Sequence, residues 1–155
     1  MIVFSLSSAV MVKLKFTFLI ILKVILCTHS WISQLFFYID DMVLITEKKT
    51  WEEALVFCRK NYSDLAMMTD KEQQTMVQNK VKIAETEFVW VGLLYACFFE
   101  EWIWVNGHWV SSDNENWQIR KESHGCGVSG AMQKNQMKWV KRPLGEQYNF
   151  VCSIH

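Results

Sequence analysis

Two stretches of the chain repeat their apolar residues at helical spacing, and most of the sequence beyond them alternates as strands do. In "TWEEALVFCRKNY" (50–62), Trp51, Ala54, Leu55 and Cys58 recur on one face, and Thr50 with Glu53 forms a capping box at the start. The stretch "TDKEQQTMVQNKV" (69–81) repeats the device with Thr69 and Glu72 and turns Met76 and Val77 inward. Ahead of both, "FFYIDDMVLI" (36–45) is rich in strand formers and predicts one or two short strands.

After the second helix, "FVWVGLL" (88–94) is a short, nearly continuous apolar run, as expected of a buried strand. In "EWIWVNGHWV" (101–110), Trp102 and Trp104 alternate with Ile103 and Val105. Asn106-Gly107 then predicts a type I′ hairpin turn. The polar stretch "SSDNENWQIRKESHG" (111–125) has no period and predicts a long loop, and three short strands, "CGVSGAM", "MKWVK" and "YNFVCSI", close the chain. Two helices succeeded by a run of strands is an α+β pattern.

Length changes this picture little: 155 residues suit one domain plus a targeting segment. The apolar fraction of 51% and charged fraction of 21% exclude a disordered chain. Eight tryptophans point to a core built on aromatic packing. Three of the 16 cationic groups (Lys13, Lys15 and Lys23) lie in residues 1–30, which hold no acid, so 13 face 16 acids in the rest. That remainder offers no basic stripe for a nucleic-acid backbone.

Residues 1–30 read as a targeting segment. A basic start at Met11 precedes the apolar run Phe16–Leu22, Lys23 interrupts it, and Thr28 and Ser30 suit the small positions of a signal cleavage site. Lys23 breaks the run short of a membrane span, although the apolar residues 1–10 leave a signal anchor as the alternative. Either way the body, residues 36–155, is expected in an oxidising compartment where cysteines pair. Cys27 leaves with the signal, and Cys58, Cys97, Cys126 and Cys152 allow three connectivities.

Candidate chemistry is sparse. "GCGVSG" (125–130) matches a dinucleotide fingerprint, but a polar loop precedes it and strands come after it, so the strand–turn–helix context is missing. Beyond the signal, His108, His124 and His155 stand in no context that marks a catalytic base, and Ser129 lies outside a nucleophile elbow. Asp113, Asn114, Glu115, Asn116 and Glu122 carry oxygens that calcium favours. Adjacent residues rarely all face one ion, and a turn in which Asp and Asn bond their own backbone is the competing reading. Asn61-Tyr62-Ser63 is a glycosylation sequon.

In order, "TWEEALVFCRKNYSDLA", "VWVGL", "WIWVNGHW", "NW", "GCG" and "YNFVC" resemble the C-type lectin-like domain in its short form, over Phe36 to Cys152. The resemblance implies an α+β fold of two helices and two small antiparallel sheets, with a long loop region carrying the ligand site. It also implies a bridge between Cys58 and Cys152. The family's second bridge would join Cys126 to position 144, where this chain has Leu144. Cys97 and Cys126 are then expected as free thiols, with a Cys97–Cys126 bridge as the competing account.

The family's calcium-dependent sugar site needs an E-P-N or Q-P-D triplet and a later W-N-D. Here "QIRKESHG" holds no such triplet, and the late strand reads Trp139-Val140-Lys141. The resemblance thus implies a non-enzymatic recognition module, secreted or signal-anchored, with no calcium at that site. Its partner would be a protein or a glycan, with a homodimer left open. A calcium-dependent lectin is the alternative. An ice- or surface-binding protein is a further one, for which "SSDNEN" shows no flat array of small Thr-like groups.

Overall fold

The computed structural model describes residues 40–110, 116–117 and 125–155. In order, the elements are β1 (Met42–Lys49), α1 (Trp51–Asn61), β2 (Asp64–Leu65), α2 (Lys71–Lys82), β3 (Phe88–Ala96), β4 (Glu101–Trp104), β5 (Val128–Gln133), β6 (Lys138–Pro143) and β7 (Tyr148–Ser153). The targeting segment and residues 36–39 of the first predicted strand lie outside the described residues.

Helix α1 starts as its sequence dictates. The Thr50 side chain accepts from the Glu53 amide at 3.3 Å, and the Glu53 carboxylate accepts from the Thr50 amide at 2.9 Å. Those bonds, backbone first, hold the Glu53 carboxyl below its ordinary pKa. Helix α2 corrects the expected box. Its N-cap is Asp70, whose carboxylate accepts from the Gln73 amide at 2.8 Å. Thr69 instead donates to the Gln73 side chain at 2.8 Å, and Glu72 is exposed. Asp70 carries its acceptor at the right spacing one residue later, and a carboxylate also suits the positive end of the helix dipole.

The strands form two antiparallel ladders. In one, β7 pairs with β1 and with β2; in the other, β3 pairs with β4 and β5, and β5 pairs with β6. A short parallel pairing of Val89 and Trp90 with Asn149 and Phe150 joins them into one mixed sheet. The two-residue period of the strands then sorts the core into two faces. Under α1 lie Trp51, Ala54, Cys58, Leu65, Trp90, Ala131, Phe150 and Cys152. Against α2 lie Val77, Val81, Val89, Val91, Met132, Trp139 and Val151. Gly92 is where backbones meet: a β-carbon there would fall 2.7 Å from the Leu65 carbonyl oxygen.

The hairpin after β4 differs from the type I′ expectation. Gly107 alone of the pair has positive φ, at 86°, and Trp104 N donates to His108 O at 2.9 Å. This leaves a three-residue loop, Val105–Gly107, of the kind that places glycine at its left-handed third position. The Asn106 side chain accepts from the His108 amide instead of opening the turn itself.

Cys58 on α1 is joined to Cys152 on β7, with Cα atoms 5.4 Å apart and both residues fully buried. The expected free thiols at Cys97 and Cys126 are corrected: these residues are bonded to each other, again with Cα atoms 5.4 Å apart. The reason is register. Leu94 pairs with Ser129, and continuing that antiparallel ladder three residues brings Cys97 opposite Cys126. Leu144 is one step out of line with Cys126. Its amide donates to Gly127 O at 3.0 Å, its carbonyl accepts from Trp51 N, and its side chain packs toward the α1 face.

Candidate functional site

The region implied for ligands is built on β6 and on the base of the long loop. Asn116 O accepts from Trp139 N at 2.7 Å, and Trp117 forms a parallel bridge with Trp139. Beneath them the aromatic rings interlock. Trp117 meets Trp102 at 4.7 Å and Trp139 at 5.6 Å, Trp139 meets Trp104 at 5.2 Å, and Trp102 meets Tyr95 at 5.2 Å. The two pairs that Trp139 makes cross nearly at right angles, the edge-to-face arrangement that aromatic quadrupoles favour.

On β6, side chains alternate between the faces. Trp139 is buried on the α2 side, Val140 packs with the cluster under α1, and Lys141 comes next, opposite Gly130. An aliphatic side chain and a cation do not make a calcium ligand pair, since calcium takes oxygen donors. Of the loop candidates, Asp113, Asn114, Glu115 and Glu122 lie outside the described residues. Asn116 is described, and its backbone is committed to Trp139. Among the described residues, no group of three or more His, Cys, Asp and Glu side chains gathers as a metal centre.

Other sequence candidates are placed more simply. Gly125–Gly130 enters β5 and is succeeded by β6, so "GCGVSG" opens a strand. His108 sits exposed in the β4 turn beside Asn106, and His155 is an exposed terminus. Asn61 is exposed at the end of α1, where its Nδ2 donates to Phe57 O at 2.9 Å. One compact ionic group has no counterpart in the sequence pattern. Arg142 donates to both oxygens of Glu146, at 2.8 and 2.9 Å, and lies 4.3 Å over the Phe88 ring. Tyr148 donates to the same carboxylate, and burial, then that bond, raises its phenol above the ordinary range. Every member of this group is satisfied by another, which fits a clamp between β6 and β7.

Two features are not legible from the pattern of the chain. Gln74 on α2 is buried against a cleft of about 460 Å³ lined also by Met68, Thr69, Asp70 and Asn116. Phe98, Phe99 and Trp109 are exposed together around the β3–β4 turn. For the phenylalanines a signal exists: two adjacent rings stand beside Glu100 in a hairpin turn, where polar residues are usual.

The family model for the lectin C-type domain matches residues 47–154. The chain is 33% identical over 118 residues to snaclec A8 of Macrovipera lebetinus, an alignment covering 68% of this chain and 85% of that protein. It is 30% identical over 88 residues to the killer cell lectin-like receptor subfamily B member 1A of Rattus norvegicus. That match covers 56% of this chain and 37% of the receptor, so it spans little more than a third of the receptor's length. Human lithostathine shares the fold with a TM-score of 0.62 at 23% identity, over 72% of this chain and 80% of its own. The mouse scavenger receptor C-type lectin carbohydrate-recognition domain gives 0.60 at 25% identity, over 72% and 84%. Its sheet, its two helices, its interlocked tryptophans and the extent of these matches together make this chain a member of the C-type lectin domain family.

Proposed function

We propose that this domain is a non-enzymatic, extracellular recognition module that binds its ligand without calcium at the family's sugar site. The observation that carries the reading is Trp139-Val140-Lys141 on β6. The tryptophan keeps its packing role, while the next two positions present an aliphatic group and a cation where oxygen donors are needed. A protein surface is the ligand class we favour, with a glycan held without calcium as the second. The killer cell receptor match and the two disulfides support an extracellular setting. No helix among the described residues is long and apolar enough to cross a membrane.

Millimolar calcium is expected to leave the melting temperature unchanged, because a ligand that does not bind the native state cannot stabilise it. Thermal unfolding with calcium and then with EDTA checks this; a rise that EDTA reverses defeats the proposal. A glycan array probed under both conditions separates the two ligand classes.

A single N-glycan is expected on Asn61 when the chain passes through a eukaryotic secretory route, since the sequon asparagine is exposed at a helix end. Glycosidase treatment should lower the mass of the wild type and leave Asn61→Gln unchanged. A wild type that already has its bare polypeptide mass would show the site unused.

A further inference from the structure

We infer that the β3–β4 turn is a docking ridge for a basic protein segment. The inference rests on the reading that the ligand is a protein. Phe98 is 91% exposed, Phe99 61% and Trp109 58%. Their rings touch in sequence: Phe98 meets Phe99 at 5.1 Å and Phe99 meets Trp109 at 5.5 Å. Large aromatic groups grouped in water are unfavourable for a free domain, and such patches mark interaction surfaces.

The ridge is held in place from behind. Tyr95 and Trp102 pair across the hairpin and are buried, Ile103 bridges to Trp109, and Cys97 is bonded to Cys126, two residues ahead of β5. A patch fixed in this way loses little freedom on binding, which favours affinity. Gly130, opposite Lys141 on β6, pairs with Leu93, so the turn at 97–100 lies further along β3 than the residue level with Lys141.

Shape and charge select the occupant. Both ring contacts are close to perpendicular, at 89° and 86°, so the three rings make a ridge and no flat platform for stacking a sugar. Glu100 and Glu101 flank the rings and are exposed. Residues 96–110, the turn and the hairpin that carry the rings, hold these two glutamates and no lysine or arginine. Two copies meeting through this ridge would bring glutamate against glutamate, and like charges in contact oppose pairing. An apolar groove edged by lysine or arginine satisfies both the rings and the carboxylates.

The test selects short random peptides, displayed as a library, on the immobilised wild-type protein. Recovered sequences should place an aliphatic or aromatic residue beside arginine or lysine. Their affinity should fall at least about tenfold on the double change Phe98→Ser and Phe99→Ser, as for central aromatic anchors elsewhere. Glu100→Lys with Glu101→Lys should also weaken binding, most at low salt. An unchanged melting temperature in both double variants shows that the fold is intact. Peptides that lack basic residues, or that bind the variants and wild type equally, overturn the ridge and leave the protein-ligand reading standing. A wild-type dimer in sedimentation that the serine variant abolishes overturns it in favour of a second copy. Recovery of no peptide, with glycans bound on an array, overturns the ridge and the protein-ligand reading together.

Discussion

Replacing Cys58 and Cys152 together by alanine should lower the stability by about 4 to 5 kcal/mol, the chain-entropy value for releasing so long a loop. The bridge spans 94 residues and ties α1 to β7, so it closes most of the domain. Both residues are fully buried between the helix and the sheet, which adds a packing loss to the entropic one. A fall in melting temperature of roughly 15 °C is the corresponding thermal readout for a domain of this size. The Cys97–Cys126 bridge spans 29 residues, and Cys126 is exposed, so a mild reductant should release that pair first. Peptide mapping after limited reduction, with calorimetry of the double alanine variant, checks both statements. A variant as stable as wild type, or free thiols found first at Cys58 and Cys152, would contradict them.

The second large effect is expected at Trp139. Its ring is fully buried and touches Trp104 and Trp117 edge to face, and its amide holds the base of the long loop through Asn116. Trp139→Ala removes a large buried side chain whose rigid neighbours cannot close around the void, and should cost about 3 to 5 kcal/mol. Trp139→Phe keeps an aromatic edge in the same place and should recover part of that loss. Chemical denaturation of both variants measures the difference, and equal midpoints for alanine and wild type would show that the aromatic stack does not support the fold. Loop anchoring gives a separate readout, since faster amide exchange at Trp117 is expected once its partner strand residue loses its ring.

Much of the fold is legible from period alone. The apolar face of α1 with its capping box, the buried run of β3 and the three closing strands all arise from local spacing and side-chain type. The N-terminus of α2 is ambiguous in sequence because two adjacent residues, Thr69 and Asp70, can both cap. The one whose oxygen reaches the third amide onward prevails. The turn after β4 departs from its sequence signal because Asn-Gly promises two left-handed residues, yet the ladder from Trp104 to His108 leaves room for only one. Local sequence cannot decide between such turns when partner strands set the register.

The sequence by itself determined the helical and strand periods and the resemblance to the C-type lectin-like domain, and that resemblance implies Val140 and Lys141 at the positions of the family's calcium ligands. These rest on residue identity and near-neighbour spacing, which need no long-range information. Only the tertiary structure decided that Cys97 pairs with Cys126, because that depends on the register between β3 and β5, strands separated by the whole of β4 and the long loop. It also decided that Phe98, Phe99 and Trp109 face water as one group. Exposure belongs to the packed molecule: the alternation that buries Tyr95 and Trp102 ends at the turn, and nothing in the chain's period says on which side the next rings will lie.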